Sequence, residues 1–164
     1  PYLATHYPDM VEKMVVVDIG PKPYPGGHET IIQALNELPL EQINDRKEAD
    51  AFLAERIADF GVRQFLLKNL TREKSGGYRW KMNLPVLTRD YQTILENIEA
   101  EETYDGPSLF VRGAKSNYIQ DGDLETIKES FPAANLVTIP DAGHWVHAEQ
   151  PQALFDAVST FLAE

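Results

Sequence analysis

The chain has 164 residues, 43% of them hydrophobic, which suits one folded domain with a sizeable core. A formal net charge of -11 repels phosphate backbones and anionic bilayer surfaces, so nucleic acid is a poor partner. The absence of cysteine excludes disulfides, a thiol nucleophile and zinc–thiolate sites.

The opening residues, "PYLATHYPDM", lack the basic start and apolar stretch of a signal peptide and read as the tail of a helix. They also lack an initiator methionine, so the chain is expected to be a piece of something longer or processed. No run of about 18 apolar residues follows, so no membrane span is expected; the expected location is cytoplasmic. "MVVVDI", Met14–Ile19, has the continuous apolarity of a strand buried on both faces.

From about Pro21 to Tyr104 the pattern changes. "PGGHETIIQALNEL", "RKEADAFLAERIADFG", "VRQFLLKNL" and "VLTRDYQTILENIEA" are amphipathic helical segments joined by Gly, Pro and polar turns. "SGGYRWKMNLPVL" interrupts them as an extended or hairpin-like connector. A helical block inserted between two strands of one sheet reads as a lid over the sheet edge.

"SLFVR", Ser108–Arg112, and "NLVTI", Asn135–Ile139, are two further strands. Between them "DGDLETIKESF" places Leu124, Ile127 and Phe131 at helical spacing, with Asp121 or Asp123 available as N-cap. After the third strand, "PQALFDAVSTFLAE" starts at a proline suited to a helix's first turn. Its apolar stripe is Leu154, Phe155, Val158, Phe161 and Leu162. Strand, helix, strand, loop, helix signals a parallel sheet with crossover helices. The fold class is α/β, divided into residues 1–20 (sheet strand and preceding helix end), 21–104 (helical lid) and 105–164 (two strands and two helices). Three parallel strands make a poor domain alone, so further strands are expected upstream, beside the first.

Ligands in such sheets collect at the carboxyl ends of the strands. Asp18 ends the first strand and His144 lies in the loop after the third, so both belong to one edge. A carboxylate on one imidazole nitrogen fixes the tautomer and leaves the other nitrogen to accept a proton. Gly143 is expected to permit the turn that presents His144. Asp141 is expected to stabilise that turn, and His147 to brace the loop by a hydrogen bond. Ser116 sits in a strand-end turn but lacks the Gly-flanked elbow that exposes a nucleophilic hydroxyl. His144, His147 and Glu149 do not have the spacing of a metal site.

"HYPDMVEKMVVVDIGP", "GVRQFLLKNL", "PSLFVRGAKSNYI" and "FPAANLVTIPDAGHWVHAEQP" resemble the α/β-hydrolase superfamily, and within it the small capped YbfF-like esterases. The resemblance runs nearly end to end. It implies a chain that starts after the family's nucleophile elbow, since no G-x-S-x-G occurs here, and so implies the missing N-terminal part of the fold as a partner. It carries the general base onto His144 and the orienting acid onto Asp18. The more widespread position for the acid, a G-x-x-D turn, reads "GAKSNYI", with Ser116 and Asn117 where a carboxylate would stand; Asp121 and Asp123 are the reserve. The implied reaction is serine-type hydrolysis of esters with short or medium acyl chains, needing no metal or organic cofactor. Cleavage of C–halogen, epoxide or C–C bonds, or a non-catalytic fragment or binding module, are the alternatives. Trp145, Phe65, Leu66, Tyr78, Trp80 and Met82 are candidates for an apolar substrate wall, and Arg79 for a polar substrate end.

Overall fold

The computed structural model describes residues 1–96 and 102–164. The chain divides into two compact units. One comprises Pro1–Pro23 with Asn97–Glu164, and the other Tyr24–Glu96.

The first unit is built on a parallel sheet of three strands, β1 (Met14–Val17), β4 (Ser108–Gly113) and β5 (Ala134–Ile139), in the order β1-β4-β5. The period-two rule of a strand decides its faces. Met14, Val16, Phe110 and Ala134 point to one face, where they meet Ala4 of helix α1 (Tyr2–His6), Ile127 of α7 (Asp123–Ser130), Tyr104, Ile119 and Phe131. Val15, Leu109, Val111, Val137 and Ile139 point to the other. There they meet Val146 of α8 (Val146–Glu149) and Ala157, Val158 and Phe161 of α9 (Pro151–Ala163). A parallel sheet with helices on both faces is the architecture expected from the strand–helix alternation.

Several particulars differ from the sequence reading. Among the described strands β4 is buried on both faces, and β1, at the edge of these three, is half-covered. Phe155 and Leu162 are 64% and 56% exposed, so the α9 stripe is narrower than its hydrophobic pattern. Neither Asp121 nor Asp123 caps α7: the N-cap is Gly122, and Asp123 is the first helical residue. Tyr104, grouped by sequence with the helical insert, lies in the core of the sheet unit, where its hydroxyl donates to the Val11 carbonyl at 2.8 Å.

The second unit holds α2 (Glu29–Glu37), α3 (Arg46–Ala54), α4 (Phe60–Leu67), the hairpin β2 (Leu70–Arg72) and β3 (Tyr78–Trp80), α5 (Leu84–Arg89) and α6 (Tyr91–Leu95). Asp45 and Asp59 accept backbone N–H bonds at the starts of α3 and α4, satisfying donors that the helices leave open. Ala34, Leu35, Ala49, Leu53, Leu67 and Leu70 form its own core. The hairpin begins earlier than the sequence pattern places it: α4 stops at Leu67, and Leu70 already pairs with Trp80. The last helical segment breaks at Asp90 into α5 and α6, and its final residues, 97–99 and Ala100, lie outside the described ones.

Burial pushes the Tyr104 phenol above its ordinary value of 10.0. A group whose proton is held more tightly in the folded state stabilises it below the unfolded pKa, and that stability is lost as pH rises through the folded value. Denaturant titrations from pH 8 to 11 are expected to show a fall in stability above about pH 10 that is smaller in Tyr104→Phe. At pH 7 the same variant is expected to be less stable by about 1–2 kcal/mol, because the Val11 carbonyl loses its donor.

Candidate active site

At the carboxyl end of β1 the chain leaves the strand abruptly. The Asp18 N–H still donates to the Val111 carbonyl at 2.7 Å, but Asp18 itself has φ 52°. That left-handed conformation is unfavourable for most L-residues and is tolerated best by Asn and Asp. The side chain is fully buried, with 0% exposure. A buried carboxylate is costly unless its oxygens are hydrogen-bonded. Three donors meet this one. The Gly113 N–H, at the end of the neighbouring strand β4, donates to Oδ1 at 3.2 Å. The Ser116 hydroxyl donates to Oδ2. His144 Nδ1 lies 2.8 Å from the same Oδ2. A carboxylate only accepts, so Nδ1 carries the proton, and in the neutral ring Nε2 then has a lone pair.

His144 comes from the loop after β5. The turn is made by Asp141, with φ 61°, while Gly143 is not left-handed. The expectation that Gly143 supplies the turn's conformational freedom is therefore corrected: Asp141 supplies the turn, and Lys115 pairs with its carboxylate at 3.0 Å. The bracing residue is also different from the one expected. Glu149 accepts from the N–H groups of Gly143 at 3.0 Å and Trp145 at 3.2 Å, clamping both sides of His144. His147 is exposed and stacks at 6.4 Å on the half-buried Trp145.

The glycine that matters most sterically is Gly113. A Cβ there would stand 2.1 Å from the Gly143 carbonyl oxygen and 2.5 Å from that of Ala142. Because the middle strand ends without a side chain, the loop from β5 can close across it towards Asp18.

The loop after β4 completes the cluster. Ser116 accepts the Tyr118 N–H at 3.2 Å, and the Tyr118 ring lies parallel to the His144 imidazole, with centroids 3.9 Å apart and planes 16° off. Asp121 and Asp123, the reserve acids, face elsewhere. Asp121 pairs with Arg112, and Asp123 with Lys22 and the Gln120 N–H. Burial opposes ionisation of Asp123, but the Gln120 N–H, Lys22 and Arg112 outweigh it and hold its pKa below the ordinary carboxylate value.

Of the substrate-wall candidates, Trp80 belongs to the helical unit's own core, where its indole N–H donates to the Leu35 carbonyl at 3.2 Å. Leu66, Tyr78 and Met82 pack against the same cluster, and Phe65 is 43% exposed on α4. Arg79 pairs with Glu73 at 3.2 Å. Trp80, Leu66, Tyr78, Met82 and Arg79 thus make contacts within their own unit. A hollow of about 420 Å³ on the sheet unit is lined by Val137, Ala157 and Phe161, and none of its lining residues belongs to the Asp18–His144 cluster. Among the described residues no group of His, Asp and Glu is arranged to hold a metal, and no helix is long and apolar enough to cross a membrane.

Sequence reasoning missed Gly113, Glu149 as a brace, and Tyr118, and it dismissed Ser116. The Ser-x-Tyr spacing of a side chain that bonds the backbone two residues on was the available signal.

Comparison with known proteins gives a consistent pattern. No protein-family model matches the chain. It is 41% identical over 167 residues to the sn-1-specific diacylglycerol lipase ABHD11 of Mus musculus, covering 98% of this chain and 54% of that protein. It is 34% identical over 157 residues to the esterase YbfF of Escherichia coli, covering 94% of this chain and 59% of that protein. Among solved structures, a marine microorganism esterase superposes with a TM-score of 0.93 at 38% identity, over 98% of this chain and 64% of its own. The chain thus spans about half to two-thirds of the length of these relatives.

Gly113→Ala is expected to lower stability by about 1–3 kcal/mol through overpacking, measured by denaturant unfolding. The contacted atoms are backbone carbonyls, so the His144 loop is expected to shift as well. That shift is read as chemical-shift changes at Gly143 and Trp145.

Proposed function

We propose, on the premise that the chain belongs to the α/β-hydrolase superfamily, that the whole enzyme is a serine-type hydrolase of carboxylic esters. The observation that carries this reading is the 2.8 Å contact between His144 Nδ1 and a fully buried Asp18.

The division of labour follows from the chemistry. A serine hydroxyl is a weak nucleophile until a base accepts its proton in the transition state. His144 Nε2 is the lone pair available for that. The serine itself is assigned to a segment preceding Pro1, together with the donors that stabilise the oxyanion. Attack on the ester carbonyl gives a tetrahedral intermediate, and Nε2 then returns the proton to the departing alkoxide, leaving an acyl-enzyme. A water, deprotonated by the same nitrogen, releases the acid. Throughout, Asp18 holds the ring in the Nδ1–H tautomer and balances the imidazolium charge. Ser116 and Gly113 donate to the carboxylate and keep it oriented towards the ring.

Esters of short and medium acyl chains are the primary substrates to assay. Glycerolipid esters form the second class, since one relative is named as a diacylglycerol lipase.

In the whole enzyme, His144→Ala and Asp18→Asn are each expected to lower kcat for p-nitrophenyl butyrate by about 10⁴-fold. Ordinary rates in both variants would remove the assignment. Ser116→Ala is expected to cost about tenfold in kcat, the effect of losing one hydrogen bond to a charged group, with the fold intact by circular dichroism.

A further inference from the structure

We propose that Tyr118 is a positioning residue for His144, holding the imidazole plane by stacking; this rests on His144 being the general base.

The hydrogen bond to Asp18 fixes one atom of the imidazole but not its plane. With Nδ1 held, coupled rotation about the Cα–Cβ and Cβ–Cγ bonds can still tilt the ring while Nδ1 stays near Oδ2. Core packing among the described residues does not prevent this, since it leaves the His144 side chain 44% exposed. On the loop side Trp145 stacks on His147. The surface that meets the imidazole face is Tyr118, nearly parallel at a centroid distance of 3.9 Å. A swing towards that face is blocked by the phenol, and a swing away from it gives up the stacking contact.

Tyr118 is itself well anchored. Its N–H is held by Ser116 Oγ, the same hydroxyl that donates to Asp18. The next residue, Ile119, is buried in the sheet unit's core, and its carbonyl accepts from Arg112. One short loop therefore carries both the donor that serves the acid and the ring that covers the base.

The stacking also acts on charge. The face of an aromatic ring is electron-rich and attracts a cation above it. Neutral imidazole gains little from this, whereas the imidazolium formed when Nε2 takes the proton gains more. An interaction stronger in the transition state than in the ground state raises kcat rather than substrate affinity.

The test is a variant series in the whole enzyme with p-nitrophenyl butyrate. Tyr118→Ala is expected to lower kcat by about tenfold while KM changes less than about twofold. Tyr118→Phe, which keeps the ring, is expected to retain near-native kcat; Tyr118→Leu, which keeps bulk without a π face, is expected to stay low. In a His144→Ala background Tyr118→Ala is expected to cost nothing further, because its effect acts through the imidazole. A native kcat in Tyr118→Ala would overturn the proposal, as would a Leu variant as active as the Phe variant or an undiminished loss in the His144→Ala background. NMR reads the stacking without turnover: the ring-current shift of the His144 ring protons should vanish in Tyr118→Ala and persist in Tyr118→Phe. His144 signals unmoved in Tyr118→Ala would likewise reject it. Full activity in His144→Ala would remove the base assignment itself, whereas the other negative results remove only the role of Tyr118.

Discussion

The site is organised around a single buried carboxyl group, that of Asp18. Taking an isolated carboxylate out of water costs several kcal/mol even after relaxation, so a side chain as fully buried as that of Asp18 needs donors around it. Each donor comes from a different piece of chain: Gly113 from the end of β4, Ser116 from the loop after it, and His144 from the loop after β5. Satisfying the carboxylate and assembling the acid–base pair are the same event. Desolvation gives the arrangement its precision, since an oxygen left without its donor would be costly.

Strand order makes this convergence possible. Asp18 and His144 belong to β1 and to the loop after β5, the two outer strands of the described sheet, with β4 between them. A side chain at the end of the middle strand would separate them. Gly113 removes that obstacle and turns its bare N–H towards the carboxylate, so its role is steric access and donation rather than backbone freedom. The three-strand register therefore sets which residues can touch, and composition at one position decides whether they do.

The strands and the α7 and α9 helices were legible in the sequence because β-branched runs and helical stripes are local signals. So was the placement of Asp18 and His144 at one sheet edge, because parallel strands send all their carboxyl ends to the same side. What escaped was non-local. Ser116 was set aside as an improbable nucleophile, and its use as a donor to a carboxylate 98 positions away has no periodic signature. Gly143 drew the turn assignment from its residue type, while the left-handed conformation went to Asp141, two positions earlier. Trp80 and Tyr78 read as pocket candidates because aromatic residues line pockets and fill cores alike, and here both contribute to the helical unit's core cluster.

Backbone strain shows how the cluster is held together. Among the described residues, positive φ outside glycine occurs at Asp18 and Asp141. One lies where the chain leaves β1, the other where it turns after β5. Each left-handed residue costs up to about 1–2 kcal/mol, less for aspartate than for most residues. Asp18 meets this cost with its three buried donors, whereas Asp141 makes only an exposed ion pair with Lys115 from the loop after the middle strand. Further bonds of that middle loop to the β5 side, Ala114 N–H to the Ile139 carbonyl and Lys115 N–H to the Ala142 carbonyl, hold the same geometry. The chain turns just beyond both outer strands, and the loop after the middle strand contacts both turns. A pair of groups 126 positions apart in sequence is thus fixed by short-range contacts to one segment, residues 113–118, that touches both.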